Sequence, residues 1–188
     1  MNDSQIFLNI QKHIDLTAQE RDWISAVLEL RDVPKKERVL EQGQVCRKLY
    51  FVESGSLRAY NSNKQGKEST IMFAVQDWWI TDMYSFVNQK PALLSLETLE
   101  DSRLYSLDFL TLEQLFMKIS KLERFFRILF QKAYVREQLR VLDAISRTTE
   151  DRYARFVAKY PQITSKVTQK QIASYLGVTP EFLSSIKK

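Results

Sequence analysis

The sequence predicts an α+β chain: an N-terminal jelly roll of short antiparallel strands, a long central helix, and a C-terminal helical unit organised as a helix-turn-helix. Three observations carry this prediction. Short β-rich runs separated by turn signals fill residues 33 to about 107. From residue 122 to about 145, apolar residues recur at helical intervals and no strand signal returns. From Thr168 onward, a cap, a small residue, a turn glycine and a second cap stand at helix-turn-helix spacing. The expected units are a roll over 1–117, a long helix over 118–146 and the helix-turn-helix unit over 147–188. The sequence ends at Lys188, directly after the second helix of the motif, so a full β-hairpin wing is not expected in it.

Residues 17–30 read as a short amphipathic helix. Thr17 stands three residues before Glu20, a capping-box spacing, and Trp23, Ile24, Val27, Leu28 and Leu30 supply an apolar stripe for packing. Strands are expected at 38–40, 49–52, 56–60, 69–74, 78–80, 93–99 and 103–107. Turns fall at Glu41-Gln42-Gly43, at Glu53-Ser54-Gly55 and over 61–66, where glycine supplies the positive φ of a tight connection. Strands this short at this spacing argue for a sandwich or jelly roll. Residues 109–118 read as a short helix. In the long helix, Leu122, Phe125, Phe126, Leu129, Ala133, Leu139, Leu142 and Ile145 form the apolar stripe, with Arg and Lys over much of the rest. Either the roll covers that stripe, or a second copy of the chain meets part of it in a coiled-coil-like seam; Leu122, Phe126, Leu129, Ala133, Leu139 and Leu142 are the seam candidates.

Composition removes whole classes of chemistry. Among 188 residues there is one histidine, His13, and one cysteine, Cys46. An internal disulfide is impossible, and a Cys/His zinc site or a catalytic triad lacks its parts, so neither an enzyme nor a bound cofactor is expected. His13 reads as a surface or packing residue and Cys46 as an inert thiol. No run approaches the ~18 apolar residues of a membrane helix, and the N-terminus lacks a signal pattern, so a cytoplasmic protein without membrane partners is expected. The net charge of +5 is unevenly placed: 13 basic and 17 acidic residues stand up to Met117, and 15 and 6 after it, giving −4 and +9. A basic back half facing a polyanion is one reading, and a solvated helix surface is the other.

The helix-turn-helix pattern favours the first. Thr168 caps a helix whose inner face is Ile172, Ala173 and Leu176. Gly177 makes the turn, Val178 fills the angle, Thr179 caps the second helix, and Pro180 takes its first position. Phe182, Leu183 and Ile186 are expected to face inward. Thr168, Gln169, Lys170, Lys187 and Lys188 are candidates for phosphate contact, while Thr179, Glu181, Ser184 and Ser185 face the bases; Glu181 can accept from a cytosine amino group.

The order roll, long helix, helix-turn-helix resembles the CRP/FNR family of bacterial transcription regulators. The similarity spans nearly the whole chain and is most specific at Leu49-Tyr50-Phe51-Val52-Glu53-Ser54-Gly55-Ser56-Leu57-Arg58 and at 168–186. It implies a homodimer joined along the long helix, a small-molecule effector cavity in each roll, and two recognition helices presented to a pseudo-palindromic operator in double-stranded DNA. RNA polymerase joins the expected partners on the same ground.

Family members that bind cyclic nucleotides hold the ribose with Gly-Glu and the phosphate with Arg-Ser or Arg-Thr. Here Thr81-Asp82 and Ala92-Leu93 stand in those places, and no arginine lies between Arg58 and Arg103. A buried phosphate without a charged partner is costly, so cyclic AMP is not expected to bind in the family manner. One cysteine excludes the family's iron–sulfur chemistry, and His13 lies outside the roll where haem would sit. The remaining expectation is an unidentified effector in a cavity lined by Tyr60, Trp79, Asp82 or Met83 together with Phe86, or a cavity filled by its own side chains; Asp82 reads first as the cap of a helix from Met83 and second as a ligand group. Cyclic-AMP-responsive relatives carry arginines where Pro180 and Ser185 stand here and share Glu181, so their operator is not carried over. Two other readings compete: a metal enzyme on the same roll, which lacks the histidines, and a sensor or interaction module that has lost DNA binding.

Overall fold

The computed structural model describes residues 4–186. In chain order its elements are α1 (Gln5–Gln11), α2 (Ala18–Ser25), β1 (Glu29–Val33), β2 (Arg38–Leu40), β3 (Lys48–Ser54), β4 (Ser56–Ser62), β5 (Glu68–Val75), β6 (Trp79–Ile80), α3 (Met83–Asn88), β7 (Ser95–Thr98), β8 (Ser102–Asp108), α4 (Phe109–Lys118), α5 (Lys121–Ser146), α6 (Thr149–Lys159), α7 (Gln169–Leu176) and α8 (Pro180–Ser185). The strands form two antiparallel sheets, ordered β1-β8-β3-β6 and β2-β7-β4-β5, which is the expected roll.

Strand alternation builds three layers from these sheets. Between the sheets lie Val52, Leu104 and Ile80 from the first and Leu57, Ala59 and Leu96 from the second, all buried in one cluster. The Tyr50 hydroxyl crosses this gap and donates to the Val39 carbonyl at 3.0 Å. The turn from β3 to β4 depends on Gly55: its φ is +93°, and a Cβ there would stand 2.2 Å from Ser102 Oγ.

The first sheet's outer face, with Leu49, Phe51 and Trp79, is sealed by α1 and the start of α5. Ile6 and Ile10 are buried in the same cluster, and the Trp79 ring lies 5.5 Å from Phe126 and 6.1 Å from Phe125. The second sheet's outer face carries Arg58, Tyr60, Phe73 and Glu97. The C-terminal helices cover part of it, with the Phe73 ring within 6 Å of Phe156, Tyr160 and Tyr175.

Several expectations need correcting. The first amphipathic helix stops at Ser25, because the chain turns at Val27 and Leu28 and Leu30 enters β1 against β8. Strand β1 and helices α1 and α6 stand where no element was expected. The long helix runs where expected, but it divides its apolar stripe. Leu122 and Phe126 are buried against the chain's own roll, with Leu129 partly so, and cannot form a seam between copies. Leu139 and Leu142 are exposed, and Ala133 is half-buried. Helical geometry puts a different set on the far side of α5: Phe130, Tyr134, Val141 and Ile145 recur at four-, seven- and four-residue steps, all exposed.

Candidate nucleic-acid interface and effector cassette

The helix-turn-helix is assembled by local chemistry. Thr168 closes a capping box: its hydroxyl accepts from Gln171 N at 3.2 Å, and Gln171 Oε1 accepts from Thr168 N at 2.8 Å. Helix α7 ends on Gly177 at φ +71°, and the Val178 amide returns to the Ala173 carbonyl at 3.0 Å. Thr179 accepts from Phe182 N at 3.2 Å, with Pro180 at the first helical position. Ile172, Ala173, Leu176 and Leu183 are buried together with Phe156, Tyr160, Ile163 and Val167. From α6, Arg152 Nη1 donates to the Leu176 carbonyl at 2.8 Å and fastens the end of α7.

Thr168, Gln169, Lys170, Thr179, Glu181, Ser184 and Ser185 are all exposed. Lys187 and Lys188 lie outside the described residues. The two serines are less free than their exposure implies, since Ser184 Oγ donates to the Pro180 carbonyl at 2.9 Å and Ser185 Oγ to the Phe182 carbonyl at 2.8 Å. Of the three side chains expected to face inward from α8, only Leu183 is buried. Ile186 is half-buried and Phe182 is 47% exposed. The correction follows from length: a helix of six residues buries little more than one turn's inner edge, and Phe182 falls beside it. Sequence reasoning therefore missed Phe182 as an outward group on the recognition helix.

The four candidate effector residues are not brought together. Asp82 is 2% exposed and fully engaged: Oδ1 accepts from Ser85 N at 3.0 Å as the cap of α3, and Oδ2 accepts from Leu93 N at 2.7 Å and Leu94 N at 2.8 Å. Two successive amides converging on one oxygen form an anion-receiving nest, and this chain fills it with its own carboxylate. Trp79 packs between the roll and α5 and donates to Asn9 Oδ1 at 3.0 Å. Met83 is exposed on α3, and Phe86 is buried in the core. Tyr60 alone of the four lines a cleft, of about 460 Å3, with Arg38, Gln42, Ser62, Ala92 and Ser95 on the outer side of the second sheet. Burial and the nearby Glu97 push its phenol above the usual range. Beside it, Arg58 is buried, stacked 4.1 Å from the Tyr60 ring and paired with Glu68 at 2.7 Å and Glu97 at 2.9 Å. Cys46 is buried, its amide donating to Ser85 Oγ at 2.7 Å.

Among the described residues, no group of three or more His, Cys, Asp or Glu could hold a metal, and no helix is long and apolar enough to cross a membrane. A two-sheet roll with a helix-bearing loop between β6 and β7 is joined through a long helix to a helix-turn-helix. Residues 30–119 match the cyclic nucleotide-binding domain family. Over 91% of this chain and 72% of each relative, the sequence is 22% identical to electron transport regulator A of Shewanella oneidensis and 24% identical to the fumarate and nitrate reduction regulatory protein of Vibrio cholerae. A Eubacterium rectale structure assigned to transcriptional regulators of the CRP/FNR family superposes with a TM-score of 0.72 at 19% identity, covering 92% of this chain and 82% of that one. Along most of its length the chain is similar to these regulators.

Proposed function

We propose that this chain binds duplex DNA as a homodimer, with a sensor unit at 1–117, a dimer helix at 118–146 and a DNA-binding unit at 147–188, and that its roll does not take cyclic AMP in the family manner. The observation that carries the DNA reading is the doubly capped helix-turn-helix, whose outward side chains other than Phe182 are polar or cationic on the +9 half of the chain. Thr168, Gln169 and Lys170 serve the phosphates. Glu181 and the exposed Phe182 face the groove, Glu181 accepting from a cytosine amino group and Phe182 touching a thymine methyl. The dimer forms along Phe130, Tyr134, Val141 and Ile145, which have the spacing of a coiled-coil seam and stand exposed on α5. The Asp82 carboxylate, held by the Leu93 and Leu94 amides, supports a roll closed from within.

The test is binding to random-sequence duplex over a salt series. Affinity should fall steeply, with a log–log slope of about −0.9 per phosphate neutralised. Tyr134→Glu should convert the dimer to a monomer by sedimentation and weaken duplex binding. Cyclic AMP should leave the melting temperature unchanged. No duplex binding at low salt would favour the alternative, a sensor or interaction module that has lost DNA binding.

A further inference from the structure

Outside the cassette and the recognition helix, a wide concavity lies where the roll, α5, α6 and α7 meet. It is a cleft of about 1020 Å3, within the size range of small-ligand sites. Among the described residues its lining cations are Lys132, Arg136 and Arg140 from α5 and Arg152, Arg155 and Lys159 from α6, while Asp143 is the lining carboxylate. Asp143 already pairs with Arg147 and Arg155 at 2.7 and 3.0 Å, and the adjacent Glu137 pairs with Arg136 and Arg140 at 3.3 and 2.8 Å. These two acids leave a surplus of positive charge facing one cavity. Partial burial, with the neighbouring Arg136 and Arg140, holds the Lys159 ammonium below its usual range against the opposing pull of Glu137 and Asp143.

We propose that this cleft is a binding site for a small molecule carrying two or more phosphate groups. Guanidinium groups suit phosphate oxygens because each can donate two parallel hydrogen bonds, and several phosphates are needed to match several cations. The walls come from both functional parts of the chain: β5 belongs to the roll, and α6 and α7 carry the helix-turn-helix. A ligand held here bridges the two and fixes the DNA-binding helices against the roll, so it acts as an effector from outside the closed cassette. Only that regulatory consequence rests on the DNA-binding reading; the site itself stands on the cleft.

The experiment is calorimetric titration of the full chain with sodium tripolyphosphate and, separately, with a nucleoside triphosphate. One saturable site per chain is expected. Tighter binding of the nucleotide assigns the site to nucleotides, and equal binding assigns it to inorganic polyphosphate. Arg155→Ala/Lys159→Ala, at the exposed rim, should weaken binding at least tenfold, and Arg136→Ala/Arg140→Ala at least as much. Lys64→Ala/Lys67→Ala, an equal charge change on the β4–β5 hairpin, should leave it unchanged. No saturable binding of either probe, several weak sites per chain, or equal losses in the cleft and hairpin variants would overturn the proposal. Random-duplex binding by the unmodified chain reads the DNA function separately, so either can fail alone.

Discussion

The two outer faces of the roll are covered in different ways. On the first, Leu49, Phe51 and Trp79 join Ile6, Ile10, Leu122, Phe125 and Phe126 in the same apolar cluster as the roll interior. On the second, Phe73 and Leu99 enter a separate cluster that belongs to the C-terminal helices, and the rest of the face is the charged group of Arg58, Glu68 and Glu97. What holds the C-terminal unit there is Phe73 with Leu99, Val75 and Trp78 beside it, a pair of hydrogen bonds and one ion pair. Thr70 N donates to Ser174 Oγ, and Ser174 Oγ to the Glu68 carbonyl, both at 2.8 Å; Lys166 reaches Glu100 at 2.8 Å. The first joint is part of the core, and the second is an attachment that a modest free energy can move. That is the arrangement a sensor needs if ligand binding is to reposition a DNA-binding unit without unfolding its own domain.

The largest test of this contrast is Phe126→Ala. Phe126 is buried against Trp79, Phe116 and Phe125, so its loss should cost about 3–5 kcal/mol and lower the midpoint of denaturant unfolding for the whole chain. The mirror experiment is Phe73→Ala, which removes a comparable ring from the second joint. Amide exchange should then rise in α6, α7 and α8 while β3, β4 and β8 stay protected. Equal loss of protection in both regions would show that the faces are not different after all.

Ser174→Ala is a smaller perturbation aimed at the same joint. Strand β5 is the edge of its sheet, and near Thr70 its pairing with β4 is interrupted by a register shift, so the Ser174 hydroxyl supplies what a neighbouring strand would. Its removal should cost about 1 kcal/mol and raise exchange at Thr70 before any change in the first sheet.

These contacts also mark the limit of what was legible in the residues. The helix-turn-helix could be read because its determinants are local: Thr168 with Gln171, Gly177 at positive φ, and Thr179 before Pro180 act within a few residues of one another. Strands β2 to β8 were legible for the same reason, through short β-rich runs and turn glycines, and β1 was not. Helix α6 was missed although Thr148 caps it through the Asp151 amide. Its apolar side chains are few between charged ones, and the burial of Phe156 and Tyr160 is decided by Phe73, more than 80 residues away in sequence. The periodicity of α5 was plain, but periodicity does not say what covers each part of a stripe. Leu122 and Phe126 turned to the roll, and Tyr134 and Ile145 did not. Asp82 had the chemistry of a ligand group, and only the folded loop shows that the Leu93 and Leu94 amides reach it first. The arginines of α5 and α6 counted toward a general basic charge until the fold gathered them around one cleft.

The smallest effect is set by pH. Burial raises the Glu100 carboxyl, but hydrogen bonds from Lys166 and Ser56 outweigh it, so its folded pKa lies below the ordinary value. A carboxylate depressed in this way adds stability above its unfolded pKa and loses it as pH falls through the folded one. The pair is partly exposed, so the contribution belongs in the range of about 0.2–1 kcal/mol and shrinks with salt. Because Glu100 stands at the β7–β8 turn of the roll and Lys166 just before α7, the loss should register at the second joint alone. Acidification from neutral pH to below the ordinary carboxylate range should raise exchange around Lys166 and Val167 relative to the Glu100→Gln variant, in which that acid-dependent step should be absent. An identical acid response in the two proteins would remove this ion pair from the joint and leave Phe73 and Ser174 to hold it.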